Sequence, residues 1–120
     1  MMTSASLRLG AAMVLVAALT GCAKQQSLYS WNSYPDQVYT YLKQEASPEQ
    51  QVLDMEAAIQ KAHAAQRALP PGYYAHLGLM YMNSGRTDQA VQAWEQEKQL
   101  FPESIAYIDY LLANLKKNHN

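Results

Sequence analysis

The chain has 120 residues, with nine lysines and arginines against ten acidic residues and a single cysteine. At this length one small domain is expected. Near-neutral charge with no basic cluster longer than Lys116-Lys117 argues against nucleic-acid binding, which needs such a cluster to release counterions from phosphates, and a lone cysteine excludes an internal disulfide or a cysteine-based metal cluster.

The chain starts with a polar stretch whose only charge is Arg8, followed by an apolar run from Leu9 to Leu19. Eleven residues fall short of the roughly 17–25 that a membrane-spanning helix needs. A basic start, a short apolar middle and small residues before a break describe a secretory signal peptide over residues 1–21. Without Arg8, eight cations face ten anions in Cys22–Asn120, a net charge of −2. Leu19-Thr20-Gly21-Cys22 resembles the bacterial lipobox. That resemblance implies cleavage before Cys22, lipid on its thiol and acylation of the new amine. Ala23 stands where an aspartate would resemble an inner-membrane retention signal, so a periplasm-facing outer-membrane anchor is implied. Residues 22–30 then read as lipidated cysteine and tether, because Ala23–Ser30 has no apolar period.

Beyond the tether, strand-type alternation is absent and helix signals recur. Pro35 opens a short helix with Val38, Tyr41 and Leu42 on one face. Ser47-Pro48-Glu49-Gln50 is a capping box, and Val52, Met55, Ile59, Ala62 and Gln66 follow at helical spacing. This second helix should stop before Pro70-Pro71. A third helix carries Tyr74, Leu77, Gly78 and Tyr81, and Asn83-Ser84-Gly85 is turn chemistry. Thr87-Asp88 starts a fourth, bearing Ala90, Val91 and Trp94 and running to about Leu100. Pro102 opens a fifth, with Ile105, Ile108, Leu112 and Leu115 on one side; Lys116-Lys117 suits the negative end of its dipole. The expectation is an all-α array of about five helices over residues 31–118.

Residues 71–104 resemble a tetratricopeptide repeat, the 34-residue helix-turn-helix unit. Tyr74, Leu77, Gly78, Tyr81, Ala90, Trp94 and Pro102 match its core pattern; Glu97 departs, where a small residue is preferred. The resemblance implies that Gly78 sits against Ala90 while Tyr74, Tyr81 and Trp94 fill the space beside them. Such repeats need stacked neighbours. Ile108, Leu111, Leu112 and Leu115 match a closing helix, and Ala58, Ala62, Ala65 and Pro70 resemble the second helix of a degenerate preceding repeat. More narrowly, P-P-G-Y-Y-A-H-L-G, E-K-Q-L-F-P-E-S and Trp31-Asn32-Ser33-Tyr34 are similar to a family of small Gram-negative outer-membrane lipoproteins. Its members tend to be encoded beside a lipoprotein resembling the curli secretion pore, which implies an envelope assembly and names no activity.

No catalytic or metal-binding constellation emerges. His63 and His76 lack a histidine or cysteine at i+4, Glu95 and Glu97 face different sides of one helix, and Glu97-Lys98 and Asp109 read as solvated. No phosphate loop, nucleophile elbow or H-E-x-x-H occurs. No enzyme activity, cofactor or small-molecule substrate is expected. Tyr29, Trp31 and Tyr34 either pack the entering chain onto the helices or contact a membrane or partner. The expected function is a lipid-anchored, non-enzymatic adaptor for another envelope protein, such as a neighbouring pore-like lipoprotein; the alternative is a peptidoglycan-binding or cell-wall-synthase-regulating lipoprotein. By the repeat pattern, Gly72, Ala75, Leu79, Met82 and Asn83 line the partner groove, which the chain's own N-terminal segment could instead occupy.

Overall fold

Proline, serine and glycine set where the helices begin and end. The computed structural model describes Arg8 and residues 27–118. Five α-helices follow one another: α1 (Tyr34–Lys43), α2 (Pro48–Ala64), α3 (Tyr73–Asn83), α4 (Thr87–Leu100) and α5 (Ile105–Asn118), the last entered through a 3-10 turn over Pro102–Ser104. The described residues contain no strand, only an isolated parallel bridge between Tyr29 and Ala68. The all-α expectation holds. None of the described helices is long and apolar enough to cross a membrane. Cys22 and the signal region lie outside the described residues, apart from Arg8.

Local chemistry explains the boundaries. The Ser47 hydroxyl accepts the Gln50 N–H at 3.2 Å, satisfying one orphan donor of α2, and Pro48 follows as the first helical residue. The reciprocal half of the expected capping box is missing, because the Gln50 amide turns forward to Asp54 Oδ1 at 3.0 Å. Between α3 and α4, Gly85 adopts φ +76°, and the Arg86 N–H returns to the Tyr81 carbonyl at 2.8 Å. A side chain with a Cβ is strained there.

The α3–α4 hairpin is the heart of the domain, and α3 buries more than one side. Tyr73, Leu77 and Met80 recur at i, i+4 and i+7 and are buried with Val52, Met55 and Ala62 of α2 in one core. The Tyr73 hydroxyl donates to the Met55 carbonyl at 2.7 Å, so the ring is buried with its polar end satisfied. Burial raises the Tyr73 phenol above its ordinary range. Toward α4, the nearest atoms to the bare face of Gly78 belong to the Trp94 indole. Ala90, expected against Gly78, is buried, and it is a tryptophan that approaches the glycine most closely.

Two positions on the expected apolar faces are open to solvent. Leu42 on α1 is 72% exposed and Ile105 at the start of α5 is 41% exposed. Both helices are peripheral, and α5 buries only Ile108. Its link to α4 is polar as well, since Lys98 bridges Glu95 at 3.6 Å and Asp109 at 2.7 Å.

The aromatic segment before α1 packs onto the helices. The Ser30 N–H donates to the Ala68 carbonyl at 2.7 Å, and the Arg67 guanidinium donates to the carbonyls of Ser27 and Tyr29. Tyr29 meets the Phe101 ring edge-on, and Tyr34 lies against Tyr73 with centroids 5.3 Å apart. Trp31 remains partly open.

Candidate functional site

Helix α3 begins without a capping side chain. Its N-cap is Gly72 at φ +90°, so the first N–H groups of the helix need partners from elsewhere. Glu97 supplies them from α4, 25 residues on: Oε1 accepts the Gly72 N–H at 2.6 Å, and Oε2 accepts those of Tyr74 and Ala75 at 3.1 and 3.3 Å. A carboxylate at a helix N-terminus also meets the positive end of the dipole. Glu97 is 1% exposed, which corrects the expectation of a solvated face. One turn earlier on α4, the Trp94 indole N–H donates to the Ala75 carbonyl at 3.0 Å.

Gly72 is fixed for a second reason. The Tyr34 hydroxyl lies 2.9 Å from where a Cβ would stand. Burial, and then the nearby Glu97 charge, raise the phenols of both Tyr34 and Tyr74. Glu97, the single departure from the expected repeat pattern, thus ties α4 to α3 together with Trp94.

On another side of α3 the helices leave a trough. Its middle is a cavity of about 440 Å³ with Ile59 and His63 from α2, Tyr74, Leu77 and Tyr81 from α3, and Gln89, Gln92, Ala93 and Gln96 from α4. A second cavity of about 340 Å³ shares His63, Tyr74 and Gln96 and continues to Tyr29, Arg67, Leu100 and Phe101. At the other end, a third shares Ile59 and Tyr81 and reaches Leu53, Glu56 and Gln60. The Tyr81 hydroxyl donates to Glu56 Oε1 at 2.6 Å; burial, with Glu56 beside it, pushes the phenol up to about 12. Leu77 and Tyr81 are buried and Tyr74 is half-buried, so the expected repeat-core residues also form the trough floor.

The five residues expected to line a groove lie elsewhere along α3. Gly72 is the cap described above, Ala75 is half-buried, Leu79 and Met82 pack against the core, and Asn83 is exposed at the helix end. Sequence spacing did not reveal the glutamines of α4. Their i, i+3, i+7 spacing is the signal that could have found them.

Beside Tyr34 sits His76, whose ring meets Tyr34 and Tyr41 edge-on at 6.3 and 5.4 Å. Its Nε2 is buried without a hydrogen-bond partner, and burial lowers its pKa below the ordinary 6.5. Below that ordinary value the unfolded chain takes the proton more readily than the folded one, so stability falls as pH drops through 6.5 toward the lowered value. We expect His76→Leu to flatten the dependence of melting temperature on pH between about 7.5 and 5.5; an unchanged slope would refute the assignment. Among the described residues, no group of three His, Cys, Asp or Glu side chains could hold a metal ion.

The profile of a domain of unknown function, DUF4810, matches residues 28–111, more than two thirds of the chain. The chain belongs to the DUF4810 family. No curated protein and no solved structure matches it. The DUF4810 match takes in Glu97, Gly72, the three glutamines and the entering aromatic segment, and stops within α5.

Proposed function

We propose that this DUF4810 protein is a non-enzymatic, lipid-anchored adaptor at the periplasmic face of the outer membrane, and that its α3–α4 hairpin is a tetratricopeptide-like unit that docks another envelope protein. The observation that carries the reading is the trough along α2 and α4, lined by amides and apolar side chains over a buried floor. Clefts with an apolar floor and a few converging polar groups are where proteins take ligands. The anchor rests on Leu19-Thr20-Gly21-Cys22. Each buried acyl methylene contributes about 0.8 kcal/mol, and two chains already hold a protein stably at a membrane.

Fractionation tests the anchor. Cys22→Ala should leave the signal unprocessed by the lipoprotein peptidase, with no labelled fatty acid incorporated. A variant that matures to the same size and floats with outer membranes would contradict it. Co-sedimentation with purified peptidoglycan separates the adaptor from a wall-binding protein: the adaptor stays in the supernatant, and saturable pelleting overturns the reading.

A further inference from the structure

We propose that the α2–α4 trough binds an extended peptide segment, uncharged in its middle, basic at one end and acidic at the other. This rests on the adaptor reading and specifies the chemistry of the partner. Gln89, Gln92 and Gln96 are exposed along one wall. Their spacings of three and four residues correspond to about 4.5 and 6 Å along the helix axis. In an extended chain, peptide groups on the same side recur every two residues, at about 6.6 Å, a difference that long glutamine side chains absorb. Each glutamine amide carries both a donor and an acceptor, the complement of a peptide group. A bound helix satisfies its own backbone and would offer these amides only side chains.

Charge sets the ends. Glu56 stands at one end of the trough and Arg67 at the other. Neither forms an ion pair among the described residues: Glu56 accepts a tyrosine hydroxyl, and Arg67 donates to neutral carbonyls. A segment with its basic end at Glu56 and its acidic end at Arg67 neutralises both. A glycan fits less well. Sugar rings stack on open aromatic faces, whereas in the middle of the trough Tyr81 is 8% exposed with its hydroxyl engaged by Glu56 and Tyr74 is half-buried.

Random twelve-residue peptides displayed on phage and selected against the whole mature protein provide the probe. The selected peptides should lose at least tenfold in affinity for the triple variant Gln89→Ala, Gln92→Ala, Gln96→Ala and keep it for the exposed control Glu103→Ala. All three glutamines are exposed and alanine is the better helix former, so an unchanged melting temperature shows that the loss is not unfolding. Methylating successive backbone nitrogens of the best peptide should weaken it at every second position, and exchanging its charged ends should weaken it again. Peptides indifferent to the three glutamines, methylation effects without a period of two, or no enrichment at all would overturn the proposal. So would an N-acetylglucosamine tetramer shifting the amide resonances of the same glutamines. These outcomes concern the mode of binding alone; the adaptor reading fails separately, if the protein contacts no other protein in the envelope.

Discussion

Glu97→Ala should destabilise the domain by about 3 kcal/mol, because three part-buried N–H groups at the start of α3 lose a charged acceptor and a donor left unpaired costs about 1–3 kcal/mol when buried, less where water reaches it. The donors in question are those of Gly72, Tyr74 and Ala75. Set against a total stability of about 5–15 kcal/mol for a small domain, the loss takes a large share. Glu97→Gln should fall between wild type and alanine, since one acceptor oxygen remains while an NH₂ group faces an N–H. Three readouts belong together. The melting temperature falls, the amides of Gly72, Tyr74 and Ala75 exchange faster with solvent, and two tyrosines titrate at lower pH, because the Glu97 charge is one of the two causes that raise Tyr34 and Tyr74. A wild-type melting temperature for Glu97→Ala would show that α3 does not depend on this cap.

Gly78→Leu should be comparably damaging, and Gly78→Ala should also destabilise although alanine favours a helix by about 1 kcal/mol over glycine. A Cβ at this position falls on the Trp94 indole, whose N–H would then be pulled from the Ala75 carbonyl. Overpacking of this kind typically costs about 1–3 kcal/mol, and an unpaired indole N–H adds to it. Gln92→Leu, on the exposed face of the same hairpin, should change stability by no more than about 0.5 kcal/mol. Thermal melts followed by tryptophan emission compare the three variants. Equal tolerance at Gly78 and Gln92 would contradict the packing described.

Helix starts were legible because local chemistry determines them, whereas the end of α2 was not: it stops at Ala64, and Gln66, expected on its face, takes φ +52°. Ser47-Pro48 starts α2, Gly85 turns the chain into α4, and Pro102 leads into α5. Phase within a helix was less legible where apolar residues adjoin. Tyr73 and Tyr74 are sequence neighbours, and the fully buried one is Tyr73, whose hydroxyl finds a carbonyl on another helix. Leu42 and Ile105 satisfy an apolar period, yet their helices have a neighbour on too few sides to cover them.

Glu97 was not legible. A glutamate between a glutamine and a lysine reads as surface, and its partners lie 22 to 25 residues away. Two signs pointed to it: it occupies the position where the repeat pattern wants a small side chain, and the start of α3 offers Pro70-Pro71-Gly72 with no serine, threonine, aspartate or asparagine to cap it. The trough was missed for a related reason. Repeat geometry directs attention to Gly72, Ala75, Leu79, Met82 and Asn83, whereas the concavity depends on how α2 and α4 flank the far side of α3.

Site-specific photo-crosslinking in the intact envelope tests the adaptor most directly. A photoreactive phenylalanine analogue replaces Gln92 in the middle of the trough, or Glu103 on the 3-10 turn as the control; both positions are exposed. If the trough docks an envelope protein, irradiation should give one discrete adduct from position 92 that is absent from position 103 and lost when Cys22→Ala deprives the protein of its lipid anchor. No adduct from position 92, or the same adducts from both positions, would contradict the account.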